Sequence, residues 1–134
     1  MSEFNFRHYS LVLIKDNKEI FESKEPRLKP LVECIAKFKS KEKNCTLYDK
    51  VIGLAAAKLI VYSGMISEVI TPLCSADAGE FLIKNNITLK TDNMVDNIYN
   101  EDKTDICPME KKAIELKTDS EFIEFIKNTF NCDI

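Results

Sequence analysis

The chain opens with two short runs rich in β-branched and aromatic residues, 8–15 and 19–23, separated by Asp16–Lys18. Runs of this kind joined by a polar triplet predict a β-hairpin. The spacing of apolar residues then becomes helical and ends near Phe38, with Pro30 at an expected first helical position. The opening of the chain therefore predicts two strands followed by a helix.

A second helix is predicted over residues 49–64, directly after a short strand at 44–48. Asp49 is expected to cap its beginning, and Gly64 suits the position just past its end. Apolar residues cover nearly every face of this segment, and Lys58 is its only charged residue after Lys50. A helix with this pattern is expected to be buried on nearly every side.

The remaining pattern alternates strands and helices up to the end of the chain. We predict strands at 67–71 and 87–90, a turn and helix over 72–86, a short helix within 92–100, a helix beginning at Cys107-Pro108, and a last helix opened by a capping box at 118–121.

This order of elements, β-β-α-β-α-β-α-β-α-α, predicts a mixed sheet that is parallel in its later strands. Helices are expected to cover both faces of the sheet, which gives three layers. Ligands of such sheets bind outside the carboxyl ends of parallel strands. The expected binding region therefore lies at residues 48–50 and 71–75.

The composition fits a single globular domain over residues 1–134, with its core at about 8–130. The net charge of −3 disfavours sequence-independent nucleic-acid binding, and we interpret the lysine-rich stretch 37–44 as a solvated loop. The sequence has no apolar run long enough to span a membrane, and its first residues do not show the pattern expected of an export signal, so we expect none. Its five scattered cysteines are then expected to be reduced thiols of a cytoplasmic protein.

Two segments resemble a known family. The segment "DKVIGLAAAKLIVYSG" (49–64), followed by "CPME" (107–110), is similar to a family of unknown function, number eighteen-ninety-three. Its structurally known members look like divergent, zinc-less members of the cytidine-deaminase-like superfamily. The resemblance implies a three-layer α/β/α sandwich with a five-stranded mixed sheet of order 2-1-3-4-5, and it implies no established activity.

The deaminase comparison can be tested residue by residue. Zinc deaminases carry H-x-E at the start of the second helix and P-C-x-x-C at the start of the third. Here the corresponding segments are Asp49-Lys50-Val51 and Pro72-Leu73-Cys74-Ser75-Ala76. Asp49 could replace the histidine as an oxygen ligand, but Val51 cannot replace the glutamate that shuttles protons. We therefore expect neither zinc-dependent deamination nor any bound cofactor.

The same region can still hold a ligand, because two helix N-termini should lie beside the ends of two strands. Helix N-termini favour anionic or carbonyl-bearing groups, and Lys50 could pair with a phosphate. The alternative for Asp49 and Ser75 is that each only caps a helix. The candidate ligand-binding residues are Asp49, Lys50, Gly53, Thr71, Pro72, Ser75, Pro108 and Glu110.

Cys107 is the first candidate nucleophile, because it precedes Pro108 at an expected helix N-cap, where a thiol is more easily ionised. Glu110, at the third helical position, is expected to bond back to the N–H of Cys107 and would oppose ionisation. Cys74 is the second candidate. The alternatives are that both cysteines are packed structural residues, or that both join Asp49 around a metal.

Three functions follow from these observations. The first is a domain that binds a small molecule, with a nucleotide or nucleoside-like ligand favoured by fold analogy. The second is a cysteine-dependent enzyme that uses Cys107 or Cys74 on such a ligand. The third is a non-catalytic interaction module that forms a homo-oligomer.

Overall fold

The architecture is a mixed five-stranded β-sheet accompanied by five helices, seen in a computed structural model that describes residues 6, 8–99 and 106–134. The strands are β1 (Leu11–Lys15), β2 (Lys18–Ser23), β3 (Cys45–Asp49), β4 (Ile66–Ser75) and β5 (Thr88–Val95). The helices are α1 (Lys29–Phe38), α2 (Leu54–Ser63), α3 (Ala76–Lys84), α4 (Pro108–Glu115) and α5 (Asp119–Phe130). No helix in these described ranges is long and apolar enough to cross a membrane.

The sheet order is β2-β1-β3-β4-β5, as expected. Strand β1 is antiparallel to both of its neighbours, whereas β3, β4 and β5 are mutually parallel. The predicted hairpin is confirmed, and its two turn residues, Asp16 and Asn17, have φ of 51° and 66°. Left-handed backbone at both positions is typical of the tight turns whose twist matches the flanking strands.

The five helices share one hydrophobic cluster with one alternating set of strand residues, which includes Leu11, Leu13, Leu47 and Val69. Val12, which alternates with that set, is buried outside the cluster. The described helices therefore pack on one side of the sheet. The expected arrangement, with helices on both faces, does not describe this part of the chain.

The almost complete burial predicted for the second helix is confirmed, since it lies between the sheet and the last two helices. Lys58, its one charged residue, donates a hydrogen bond from Nζ to the carbonyl oxygen of Ala113 at 2.6 Å. The same ammonium lies 4.0 Å from a carboxylate oxygen of Asp119 and 5.6 Å from the ring centre of Phe122. One cation thus connects α2 to both α4 and α5.

The predicted start of α2 is wrong. The helix begins at Leu54, because the chain stays extended beyond Asp49, the last residue of β3. Ile52 explains the delay: its N–H bonds to the carbonyl oxygen of Leu73, and its own carbonyl accepts the N–H of Ser75, both at 2.9 Å. These bonds to β4 hold residue 52 in a strand-like position.

Strands β4 and β5 are also longer than predicted. The expected turn at 72–75 is instead the end of β4, and the short helix expected within 92–100 is replaced by β5 up to Val95, with residue 100 outside the described ranges. Pro72 is accommodated because no backbone pairing to β3 extends beyond Ile70. The extra pairing to β5 runs from Leu73 to Ser75.

Three predicted helix ends are confirmed. Gly64 follows α2 with φ of 65°, a left-handed conformation that costs glycine little. The side chain of Ser75 accepts the N–H of Ala78 at the start of α3. The side chain of Thr118 accepts the N–H of Glu121 at the start of α5.

Candidate functional site

A cavity of about 590 Å³ opens at one edge of the sheet. Strands β2, β3 and β5 all point toward this edge, because β1 is antiparallel to both of its neighbours and β3 is parallel to β4 and β5. The segments that follow these three strands meet the start of α4 there. The cavity is lined by Lys24, Pro26, Arg27, Leu28, Asp49, Lys50, Val51, Gly53, Ala55, Ala56, Ile98, Tyr99, Cys107, Pro108, Met109 and Glu110.

Asp49 contributes a buried carboxyl group to this cavity, and its residue is only 7% exposed. Burial raises the pKa of the Asp49 carboxyl well above its ordinary value, and the backbone N–H groups of Lys50 and Val51 oppose that shift. Since α2 begins five residues later, the prediction that Asp49 caps this helix is wrong. The residue belongs to the cavity lining instead.

Glu110 supplies the cap that α2 lacks locally. Its Oε2 accepts the N–H of Leu54 at 2.7 Å, and its Oε1 accepts the N–H of Ala55 at 2.8 Å. Burial raises the pKa of the Glu110 carboxyl, while these two N–H groups act in the opposite direction. A carboxylate from α4 therefore satisfies two of the free N–H groups that begin α2.

The expected bond from Glu110 back to Cys107 is wrong. The N–H of Cys107 donates to the carbonyl oxygen of Ile98 at 2.9 Å. This bond holds the start of α4 against the segment that follows β5, and it leaves Glu110 for the longer-range contact with α2.

Gly53 makes room for that contact. A methyl group added at this residue would place its carbon 2.5 Å from Cδ of Glu110, far inside van der Waals distance. The backbone here is extended, with φ of −105° and ψ of −177°, which other residues also adopt. Gly53 therefore matters for the space that it leaves.

Cys107 lies at the N-cap of α4, and Pro108 is in the first turn, as predicted. The side chain of Cys107 makes no capping hydrogen bond, and this half-buried residue lines the cavity. Cys107 is thus a thiol at a helix N-terminus beside a cavity.

Three basic residues, Lys24, Arg27 and Lys50, line the exposed part of the same cavity. The Lys24 ammonium lies 5.8 Å from the ring centre of Tyr9. Only Lys50 was identified from the sequence. The expected strand order could have identified Lys24 and Arg27 as well. In that order β2 runs parallel to β3, so the loop after β2 reaches the same edge of the sheet.

Four predicted site residues lie outside the cavity lining. Thr71 is buried within β4, where its hydroxyl bonds to the backbone of Leu73, Pro72 continues that strand, and Ser75 caps α3. Cys74 is fully buried. Burial, reinforced by the Glu110 carboxylate, raises the pKa of the Cys74 thiol to about 11, which disfavours it as a nucleophile.

In the described part of the chain, no group of three or more histidine, cysteine, aspartate and glutamate side chains is arranged to hold a metal ion. The sequence suggested a metal site formed by Asp49, Cys74 and Cys107. Asp49 and Cys107 line the cavity, whereas Cys74 does not.

Comparisons with known proteins identify relatives of this architecture. The family model TM1506, described as Domain of unknown function (DUF1893), matches residues 2–130. The crystal structure of a DUF1893 family protein (TM1506) from Thermotoga maritima superimposes with a TM-score of 0.82 at 25% sequence identity. The superposition covers 92% of this chain and 82% of that one. No curated protein matches the chain.

Proposed function

We propose that this chain, which belongs to the TM1506 family (DUF1893), is a small-molecule-binding domain whose ligand occupies the cavity at the carboxyl edge of the sheet. One observation carries the proposal: a single cavity has a buried carboxyl group, Asp49, together with three exposed basic side chains. Its volume of about 590 Å³ is within the range of ligand pockets.

The charges favour a ligand with an anionic group. Lysine and arginine side chains bind phosphate and carboxylate groups by charge-assisted hydrogen bonds, and Lys24, Arg27 and Lys50 offer such donors at the exposed part of the cavity. The start of α4 adds the partial positive charge of a helix N-terminus. A nucleotide or a similar phosphate-bearing molecule has the size and the charge that this arrangement suits.

We further propose that the fold is a divergent form of the cytidine-deaminase-like fold that does not carry out the zinc chemistry. The sheet order 2-1-3-4-5 supports the relationship. Against the chemistry stands the start of α2, where zinc deaminases place a metal ligand and the proton-shuttling glutamate. In this chain the first N–H groups of that helix are bonded to the carboxylate of Glu110.

A thermal-shift panel tests the proposed function. The probes are nucleosides, nucleoside 5′-monophosphates, ribose 5-phosphate and inorganic phosphate. We expect the phosphate-bearing organic probes to raise the melting temperature, and we expect Lys50→Ala to weaken their binding by about five- to tenfold through the loss of one charge-assisted contact. Lys41→Ala, which removes an exposed lysine outside the cavity lining, is the matched control. The proposal fails if no probe shifts the wild-type protein.

A cysteine-dependent enzyme that uses Cys107 is the second candidate. The observation in its favour is a half-buried thiol without a capping bond, located in the cavity wall at the N-terminus of α4. An activated thiol should react with iodoacetamide at least about ten times faster than Cys132, a second half-buried cysteine in the native protein. Equal rates for the two residues would reject this candidate.

A homo-oligomeric interaction module is the third candidate. Val51, Met94 and Tyr99 are large apolar residues that are 37%, 50% and 52% exposed, and the first and third of them line the cavity. Val51 and Tyr99 share the cavity lining, and exposed apolar side chains grouped in this way are typical of protein contacts. Sedimentation velocity tests this candidate, which predicts an oligomer that dissociates when charged residues replace Val51 and Tyr99. A monomer in the wild-type protein would reject it.

A further inference from the structure

Asp49 differs in position from the basic groups of the cavity. It is 7% exposed, whereas Lys24, Arg27 and Lys50 are exposed residues. None of the ion pairs found among the described residues includes Asp49. The cavity therefore has a positively charged outer part and an inner part with an acidic side chain that has no cationic partner there.

We infer that Asp49 determines which ligands the cavity accepts, by donating a hydrogen bond from its carboxylic acid to an acceptor atom at the buried end of the ligand. This inference rests on the proposed function, because it assigns the orientation of a molecule bound in the same cavity. The ligand class is a small anion whose opposite end is uncharged and carries a carbonyl oxygen or an unprotonated ring nitrogen. Pyrimidine and purine monophosphates have both features.

Burial determines the form of the side chain. An ionised carboxylate removed from water without a cationic partner is costly, so such a group holds its proton instead. The direction of the pKa shift of Asp49, upward through burial, agrees with this reasoning. The nearby backbone N–H groups of Lys50 and Val51 act against this shift, but burial outweighs them. What the acid adds to the cavity is therefore its O–H group.

An uncharged hydrogen-bond donor discriminates between ligands because it is costly to bury the donor without an acceptor. A ligand without an acceptor at its inner end would bury the O–H group against apolar surface, and that loss corresponds to a weakening of binding by about tenfold. The side chains of Ala55, Ala56 and Ile98 in the cavity lining offer no acceptor, and both oxygens of Glu110 are already bonded to the N-terminus of α2. The same arrangement would bind an ionised acceptor poorly, because no cation lies at that end.

The neighbouring titratable groups come from each element that surrounds Asp49. Cys34 of α1 lies close enough to interact electrostatically with Asp49. Glu110 of α4 lines the same cavity, as do Lys50 and the lysine and arginine of the segment before α1. Any pH dependence must therefore be assigned by substituting Asp49 itself.

The experiment compares uridine 5′-monophosphate with ribose 5-phosphate by isothermal titration calorimetry. We expect Asp49→Leu to lower the affinity for uridine 5′-monophosphate by about tenfold and to leave ribose 5-phosphate unchanged. Asp49→Asn should keep the preference, because its amide also donates. In the wild-type protein the preference should decrease as pH rises and Asp49 ionises, and in Asp49→Asn it should not change over the same range.

The outcomes separate the two proposals. If both probes bind and Asp49→Leu weakens them equally, or if the preference in the wild-type protein does not depend on pH, the role of Asp49 is wrong and the proposed function stands. If neither probe binds the wild-type protein, the role of Asp49 is overturned, and the proposed function is overturned only if the whole thermal-shift panel also fails to bind. Circular dichroism and the melting temperature of each variant verify that the fold is intact.

Discussion

Two acidic residues, Asp49 and Glu110, are buried to the same extent beside one cavity, and each is 7% exposed. Their hydrogen-bond and ion-pair partners differ. Glu110 has both of its oxygens bonded to the N-terminus of α2, whereas no ion pair in the described structure includes Asp49. Acidic side chains at the same exposure can therefore have different roles, one as the cap of a helix and the other as a buried group without a cationic partner among the described residues.

Asp49 should make stability depend on pH. Its pKa in the folded state is raised above that of the unfolded chain, so its contribution to stability is fully present in acid and is lost as pH rises. The loss begins above about pH 4, at up to about 1.4 kcal/mol per pH unit, and it ends at the pKa of the folded state. An asparagine side chain cannot ionise, so the Asp49→Asn variant should gain stability relative to the wild-type protein over this window.

Urea unfolding of both proteins at a series of pH values measures this difference. Asp92→Asn, which changes an exposed aspartate of β5, is the control for the substitution itself. A difference between the wild-type protein and Asp49→Asn that stays constant across pH would contradict the assignment.

At the scale of elements, α4 is bound to α2 through contacts that no local sequence pattern reveals. Glu110 bonds to the first turn of α2, and Lys58 of α2 bonds to the carbonyl oxygen of Ala113. The partners are 55 and 56 residues apart in sequence. These bonds fix the wall of the cavity that carries Cys107.

A double-mutant cycle tests this connection. Glu110→Ala should destabilise the protein by about 2–4 kcal/mol, since two charge-assisted hydrogen bonds are lost. Gly53→Ala should also be destabilising, because its methyl group overlaps the carboxylate of Glu110. Once Glu110 is alanine that overlap is gone, so the two effects should fall short of additivity by about 1–3 kcal/mol.

Gly79→Ala is the matched control for this cycle. Its added methyl carbon would lie 2.5 Å from Cε of Met94, the flexible end of a half-exposed side chain that can move away. Alanine is favoured over glycine inside a helix by about 1 kcal/mol, so this variant should be neutral or stabilising.

Strict additivity of Gly53→Ala and Glu110→Ala in urea unfolding would show that the two residues do not interact.

Local chemistry made some elements predictable and others not. The hairpin, the helix ends at Gly64, Ser75 and Thr118, and the position of Cys107 were found because each depends on residues close in sequence. The start of α2 was misplaced because Ile52 bonds to β4, and the end of β4 was missed because its pairing to β5 continues past Pro72. Pairing between distant segments decided both boundaries.

At the scale of the molecule, strand direction creates the site. Because β2, β3 and β5 point to the same edge, the segments after them converge and are joined there by the start of α4. The sheet order that the family resemblance implied is confirmed, and the cavity lies at the edge to which the order of strands and helices pointed. The residues predicted for the site that do line the cavity are Asp49, Lys50, Gly53, Cys107, Pro108 and Glu110.

The misplaced part of the predicted site has one cause. A turn between 71 and 75 would have brought Thr71, Pro72 and Ser75 to the cavity, but β4 continues through these residues. Conversely, Lys24 and Arg27 were missed because their role depends on the loop after β2, a strand two positions away from β3 in the sheet. Neither the length of β4 nor the position of the loop after β2 can be predicted from residues that are close in sequence.

The most direct test of the central claim is a titration of ¹⁵N-labelled protein with uridine 5′-monophosphate, followed by two-dimensional NMR. A ligand bound in the cavity should cause saturable shifts in the backbone amides of 50–55 and of Cys107, Met109 and Glu110, which belong to two of the segments that form its walls. The amides of 80–84, in the second half of α3 and outside the cavity lining, should not move. Saturable shifts that map to α3 instead, or no shifts with this probe or with the other nucleoside monophosphates, would contradict the account.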